Sequence, residues 1–217
     1  GKKIWDVGCG FGTSAIFFAL NGFEVHGSTL EFYFDEIENR LDFWKAHGDL
    51  SSLHIKYENL FDMEVPQAHF DYVLVQDTLH HLEPFSEAAI ILRDALREGG
   101  KIVASEENGN NLFNNLKNFK NRGFKRVKSM YDEKLGKDIL IGDENTRSLK
   151  SWQYEFEKVD LHLDTDSVEY IRYYFPHKYK NNNTKSLLQL EQQMSQKPGL
   201  RREYFFFGLN FTVSKNK

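Results

Sequence analysis

The chain is poor in the features that mark secreted, membrane-spanning or nucleic-acid-binding proteins. Cys9 is the single cysteine among 217 residues. It excludes an intramolecular disulfide framework and suits a reducing compartment, so a cytoplasmic setting is expected. No apolar run reaches transmembrane length and no signal peptide opens the chain, so no membrane partner is expected. No basic tract dominates: 28 Lys and Arg stand against 32 Asp and Glu, a formal charge of -4. That balance does not call for nucleic acid. The lysines between 117 and 128 suit a solvated face as well as a binding patch. His80 and His81 are adjacent rather than four apart, and no His-Glu-x-x-His pattern occurs. Spacing therefore supplies no metal site.

With 40% hydrophobic and 28% charged residues, the chain reads as globular rather than disordered. Its length suits one domain, residues 1–217, with a real core. Residues 3–8 read as a strand, and Ser14 to Leu20 as a helix that is apolar nearly all round. Glu24–Ser28 is the next strand. A helix starting near Glu31 carries Phe34, Ile37, Leu41 and Trp44 on one face. Strands follow at 53–57, at 70–75 and, after a helix opened by Pro84, at 101–105. Strands alternating with helices at this rhythm predict a parallel sheet covered on both faces. Right-handed crossovers then put the strand C-termini, and any ligand, on one edge.

Beyond Asn108 the pattern loosens. Residues 124–147 are mixed, Leu149, Trp152 and Phe156 are helix-spaced, a sixth strand is expected at 159–163, and a last aromatic strand at 204–213. The stretch between those two strands is too long for a hairpin. It reads as an inserted lid, about 165–203, with Tyr170, Tyr173, Tyr174 and His177 either lining an acceptor pocket or forming the insertion's own core. Asn181 to Asn183 break the aromatic cluster, and Arg172 could meet an acidic substituent.

The first strand runs into Gly8-Cys9-Gly10-Phe11-Gly12, and Thr13 stands where a dinucleotide fingerprint needs its third glycine. Asp6, two residues before the first glycine, is a poor neighbour for a pyrophosphate and a good one for an amine-bearing ligand. No Gly-Lys-Ser/Thr follows, so a P-loop is excluded. The segments Ile4–Gly12, Phe70–Val75 with Leu79-His80-His81-Leu82 after it, and Leu96–Ile102 occur in this order. In these motifs the chain resembles the class I S-adenosylmethionine-dependent methyltransferases, over about residues 1–108.

The resemblance implies an α/β fold: a Rossmann-like, mostly parallel seven-stranded sheet with helices on both faces and the inserted lid between its last two strands. It implies S-adenosylmethionine as cofactor, with Asp6, Gly8, Cys9 and Gly10 around its methionine part. The ribose position falls on Thr29 and Leu30. The family usually has an acid there, and Glu31 could reach back. Gly27-Ser28-Thr29-Leu30 is nearer to the cyclopropane-fatty-acid and mycolic-acid synthase branch. Asn59, with Glu58 as the alternative, matches the adenine position, and Gln76 and Asp77 the methionine end. His80, His81 and Glu106 are the candidate catalytic groups, as base or as orienting carboxylate. Packing and structural capping are the competing explanations.

The expected activity is methyl transfer to an oxygen, nitrogen or carbon atom of a small-molecule acceptor, by a monomer or homodimer. A protein or carrier-bound acceptor, a nicotinamide-dependent oxidoreductase and an inactive cofactor-binding partner are the alternatives.

Overall fold

The computed structural model describes residues 1–30, 34–180 and 184–216. Glu31, the expected start of the second helix, and the breaker Asn181–Asn183 lie outside them.

β1 (Lys3–Val7) leads through the glycine turn into α1 (Thr13–Leu20). β2 (Glu24–Thr29), α2 (Glu36–Lys45), β3 (Leu53–Tyr57) and β4 (Phe70–Gln76) follow. Then come a 3-10 turn (Leu79–His81), α3 (Phe85–Ala95) and β5 (Leu96–Glu107). Next are α4 (Leu112–Arg122), β6 (Val127–Asp132), β7 (Lys137–Gly142), α5 (Leu149–Glu157) and β8 (Leu161–Ile171). α6 (Thr184–Ser195), α7 (Leu200–Phe205) and β9 (Gly208–Lys215) complete the order.

The main sheet has seven strands in the order β3-β2-β1-β4-β5-β9-β8. β1 to β5 are mutually parallel, and β9 runs antiparallel to both β5 and β8. Alternation along β1 divides the core, because successive side chains of a strand point to opposite faces. Ile4 packs with Ala15 and Ala19 of α1 on one face. Trp5 and Val7 join Leu92 of α3 and Trp152 and Phe156 of α5 on the other. α1 buries only Ala15, Ile16 and Ala19 and leaves Phe17 60% exposed, so its apolar sequence covers more than its one buried face.

Several expected boundaries move. The mixed stretch 124–147 is an antiparallel hairpin, β6 with β7. Its strands bury little beyond Ile139, Asp132 and Gly142, so no clean apolar alternation marks it. β8 is longer than the expected 159–163 and reaches Ile171, pairing with β9 on both sides of an irregularity. The insertion therefore spans 172–207 rather than 165–203. Tyr170 lies in a strand, 5% exposed, with its hydroxyl donating to Glu203; it is core, not lid lining. The last strand starts at Gly208, not at 204. Tyr204 and Phe205 are wound into α7 because the Phe206 carbonyl accepts from the Asn108 and Asn111 side chains, which ties the chain down before β9 begins.

Inside the insertion, Glu191 is buried and accepts from the Tyr179 hydroxyl at 2.7 Å and from the Tyr173 N–H. Its Oε1 thus holds the aromatic segment to α6. No helix among the described residues is long and apolar enough to cross a membrane.

Candidate functional site

The C-terminal ends of β1 to β5 meet at one edge. There the chain leaves β1 through glycines at φ 69, 53 and 71 (Gly8, Gly10 and Gly12), a region that L side chains rarely adopt. The Gly8 and Cys9 N–H groups both donate to the Ser28 carbonyl of β2, at 2.8 and 3.0 Å. A Cβ on Gly8 would stand 2.4 Å from the Thr78 hydroxyl. Only glycine lets the turn lie against the segment that follows β4. Cys9 fills the gap beside Gly27. Burial pushes its thiol well up, so it is not a nucleophile.

Asp6 sits beneath this turn, 1% exposed. Its carboxylate takes a hydrogen bond from the Ala15 N–H, while Oδ2 finds no partner among the described residues. Burial pushes its pKa up to about 7, only partly opposed by that backbone bond. A buried acceptor left open is costly. It fits a ligand that brings a donor, above all a cationic one.

The other expected positions behave as follows. Thr29 is 3% exposed and its carbonyl accepts from Glu58 N–H. The Leu30 carbonyl accepts from the Tyr57 hydroxyl at 3.3 Å. Asn59 accepts from Phe61 N–H and so shapes its own turn. Glu58 pairs with Lys56 at 3.4 Å and lines a cavity of about 340 Å³ with Trp5, His26, His54 and Met63. Gln76 is exposed and accepts from Ser14 at the start of α1.

The segment after β4 is held by Glu106. This carboxylate is fully buried. It accepts from the Thr78 and Leu79 N–H groups at 2.8 and 2.6 Å through Oε1, and its Oε2 lies 2.6 Å from His80 Nδ1. The hydrogen bonds of both its oxygens run to the segment after β4 and to the His80 ring. His80 itself is 3% exposed. Burial works to lower its pKa, but the hydrogen bond to Glu106 and the negative charges of Glu106, Glu144 and Glu107 together hold it above the ordinary value. His81 Nδ1 bonds the Gly142 carbonyl at 2.8 Å. Glu107 is partly buried with Oε2 unpartnered among the described residues, and burial, with Glu144 close by, raises its pKa.

Two long-range contacts escaped the sequence reading, although Arg172 itself was expected to meet an acidic substituent. Arg172, at φ 61 just past β8, makes a two-pronged ion pair with Asp77 (φ 47) at 3.1 and 3.2 Å. Glu144, beyond β7, approaches both histidines. No local pattern signals either contact, because 95 residues separate the first pair and the hairpin brings in the second. Asn108, just past β5, is 2% exposed and donates to the Glu203 and Phe206 carbonyls. His177 is exposed and stacks on Phe175.

A parallel β1–β5 sheet, an antiparallel β9 inserted beside β5, and a glycine turn over a buried acid set this fold apart from a nicotinamide-binding one. Residues 5–104 match the family described as Methyltransferase domain. The chain has the class I S-adenosylmethionine-dependent methyltransferase fold.

Solved structures of that fold align over nearly the whole chain. An S-adenosylmethionine-dependent methyltransferase from Mesorhizobium loti is 17% identical, with a TM-score of 0.59, covering 98% of this chain and 90% of that one. One from Archaeoglobus fulgidus is 14% identical, with a TM-score of 0.60, covering 99% and 86%. Phosphoethanolamine N-methyltransferase 2 of Haemonchus contortus, in complex with S-adenosyl-L-methionine, is 16% identical, with a TM-score of 0.60, covering 100% of this chain and 49% of that one. Among curated proteins, an uncharacterized protein of Haemophilus influenzae is 30% identical over 110 residues, which are 49% of this chain and 42% of that protein. The match thus spans less than half of that relative's length. The cofactor of the methyltransferase fold is S-adenosylmethionine, and the open acceptor of Asp6 beneath the glycine turn suits its ammonium group.

Proposed function

We propose that the chain is one S-adenosylmethionine-dependent methyltransferase domain acting on a small-molecule acceptor. The observation that carries this reading is the unpartnered Oδ2 of Asp6 under three left-handed glycines. Asp6 would accept from the cofactor's amino group, directly or through water, and Gly8, Cys9 and Gly10 would let the methionine part lie close to the backbone. Thr29 and Leu30 would border the ribose, Asn59 or Glu58 the adenine, and Gln76 and Asp77 the sulfonium end.

The cofactor supplies an activated methyl group. The chain's own work is to align an acceptor oxygen, nitrogen or carbon with it and to exclude water. His80 is aimed by Glu106, and His81 by the Gly142 carbonyl. One of them would face the acceptor. The Asp77–Arg172 pair joins the cofactor edge to the root of the insertion, a place for the insertion to close over a small ligand. The phosphoethanolamine enzyme of Haemonchus contortus, a neighbour in fold, has a small acceptor. The net charge of -4 supports a small molecule over nucleic acid. The single cysteine supports a cytoplasmic setting, and a monomer or homodimer would suffice.

Calorimetry of the purified chain with S-adenosylhomocysteine and with NAD tests the reading. Micromolar binding of the first alone is expected. Binding of NAD, or of neither, would overturn it.

A further inference from the structure

We infer that His80, His81 and Glu144 form a binding site for a divalent transition-metal ion of zinc's class. One ligand atom from each of the three lies within 4.8 Å of the other two. Ligand atoms about 2.0–2.2 Å from a tetrahedral zinc stand roughly 3.4 Å apart. Closure by about an ångström or more, within the reach of side-chain rotation, converts the cluster into a chelate.

The partners of the two rings argue for this use. A metal-binding histidine typically gives its second nitrogen to a carboxylate or a backbone carbonyl, which fixes the tautomer and the ring's aim. His80 Nδ1 meets the Glu106 carboxylate at 2.6 Å, and His81 Nδ1 meets the Gly142 carbonyl at 2.8 Å. Among the described residues, Nε2 of each ring has no hydrogen-bond partner and is left to offer. The ring centroids are 4.1 Å apart.

Glu144 is brought in by a locked scaffold. A Cβ on Gly142 would lie 2.0 Å from the His80 carbonyl oxygen, and Leu82 bridges to Ile141, so the end of β7 is pressed onto the 3-10 turn. On its other side Arg147 pairs with the buried Glu83 at 2.7 Å and covers the Phe85 and Trp152 rings. Between these clamps Glu144 holds φ 53, a strained value for a glutamate and of the kind that clusters at ligand sites. Next to the cluster, Glu107 Oε2 is buried without a partner among the described residues. The nearby Arg172 guanidinium is engaged by Asp77.

Two imidazoles and one carboxylate suit zinc and its neighbours rather than calcium or magnesium. Three protein ligands leave at least one coordination position open. That position would take an oxygen or nitrogen donor of the acceptor, a role that rests on the methyltransferase reading, whereas binding of the ion does not. The second such cluster, Glu24, His26 and His69, already holds the Lys3 ammonium, 3.1 Å from both Glu24 and His69, and carries no such proposal.

The test uses the full chain, stripped with a chelator and titrated with Zn²⁺ by calorimetry and with Co²⁺ by visible absorption, without cofactor. One ion per chain is expected, with the intense visible bands of low-coordinate cobalt. Glu144→Gln and His81→Ala should each weaken Zn²⁺ binding by about tenfold or more, and His69→Ala should leave it unchanged. Glu144 is only partly buried, so its variant reports on binding even where the histidine variant folds poorly. Absence of stoichiometric binding, or loss of binding in His69→Ala with retention in Glu144→Gln, would overturn the proposal. S-adenosylhomocysteine calorimetry on the same stripped sample reports separately on the cofactor reading.

Discussion

Asp6 and Glu106 are both carboxylates sealed from solvent, 1% and 0% exposed, near the ends of strands in one sheet. Their surroundings differ. Glu106 gathers two backbone N–H groups and an imidazole, while Asp6 has one backbone bond and an open oxygen. A satisfied buried charge anchors structure; an unsatisfied one lowers stability and waits for a partner. The end of β1 is therefore left with an open acceptor, and the segment after β4 is tied down from within the chain.

The sharpest way to break this contrast is Glu106→Ala. It strands two buried N–H groups and the His80 ring, and should cost on the order of 3 kcal/mol in urea unfolding. A loss under about 1 kcal/mol would mean that Glu106 is no anchor. Gly142→Ala should cost roughly 2 kcal/mol by thermal unfolding, because its Cβ meets the His80 carbonyl.

Asp6→Asn should do the reverse. The folded carboxyl keeps its proton up to about 7 against an ordinary 3.8. The free protein therefore loses stability as pH rises between those values and loses no more above. The variant, lacking that charge, should gain on the wild type across this window and hold the gain above it. It should also bind S-adenosylhomocysteine about tenfold less tightly at about pH 8. The ligand's ammonium favours the ionised carboxylate, so wild-type affinity should rise about tenfold between about pH 6 and about pH 8, with a flat profile in the variant. A parallel pH profile in both proteins would remove Asp6 from the site. The smallest effect is expected for Arg172→Ala. The ion pair with Asp77 is nearly half exposed, so stability should change by less than about 1 kcal/mol, with any larger effect confined to acceptor KM.

Legibility follows the same division. In residues 1–108, alternating apolar strands and amphipathic helices repeat within short windows, so the order of elements and the glycine turn are readable. Contacts there are made by neighbours in a regular βαβ pattern. In the hairpin 127–142 only a few side chains are buried, which leaves no period to read. At 204–205 an aromatic run with strand propensity becomes helix because Asn108 and Asn111 hold the Phe206 carbonyl, and tertiary context overrides propensity. Glu106 was legible as a candidate because it follows the strand expected at 101–105, but its inward aim depends on where Thr78 and Leu79 turn their N–H groups.

Residue order by itself determined the parallel half-sheet, the glycine turn over Asp6 and the placing of His80 and His81 just past the C-terminal end of β4, because these rest on local periodicity and on one glycine-only conformation. Only the tertiary structure decided that Glu106 serves His80, that Arg172 meets Asp77, and that Glu144 joins the two histidines. Each of these pairings closes a long loop of chain, and its geometry is set by packing elsewhere in the fold.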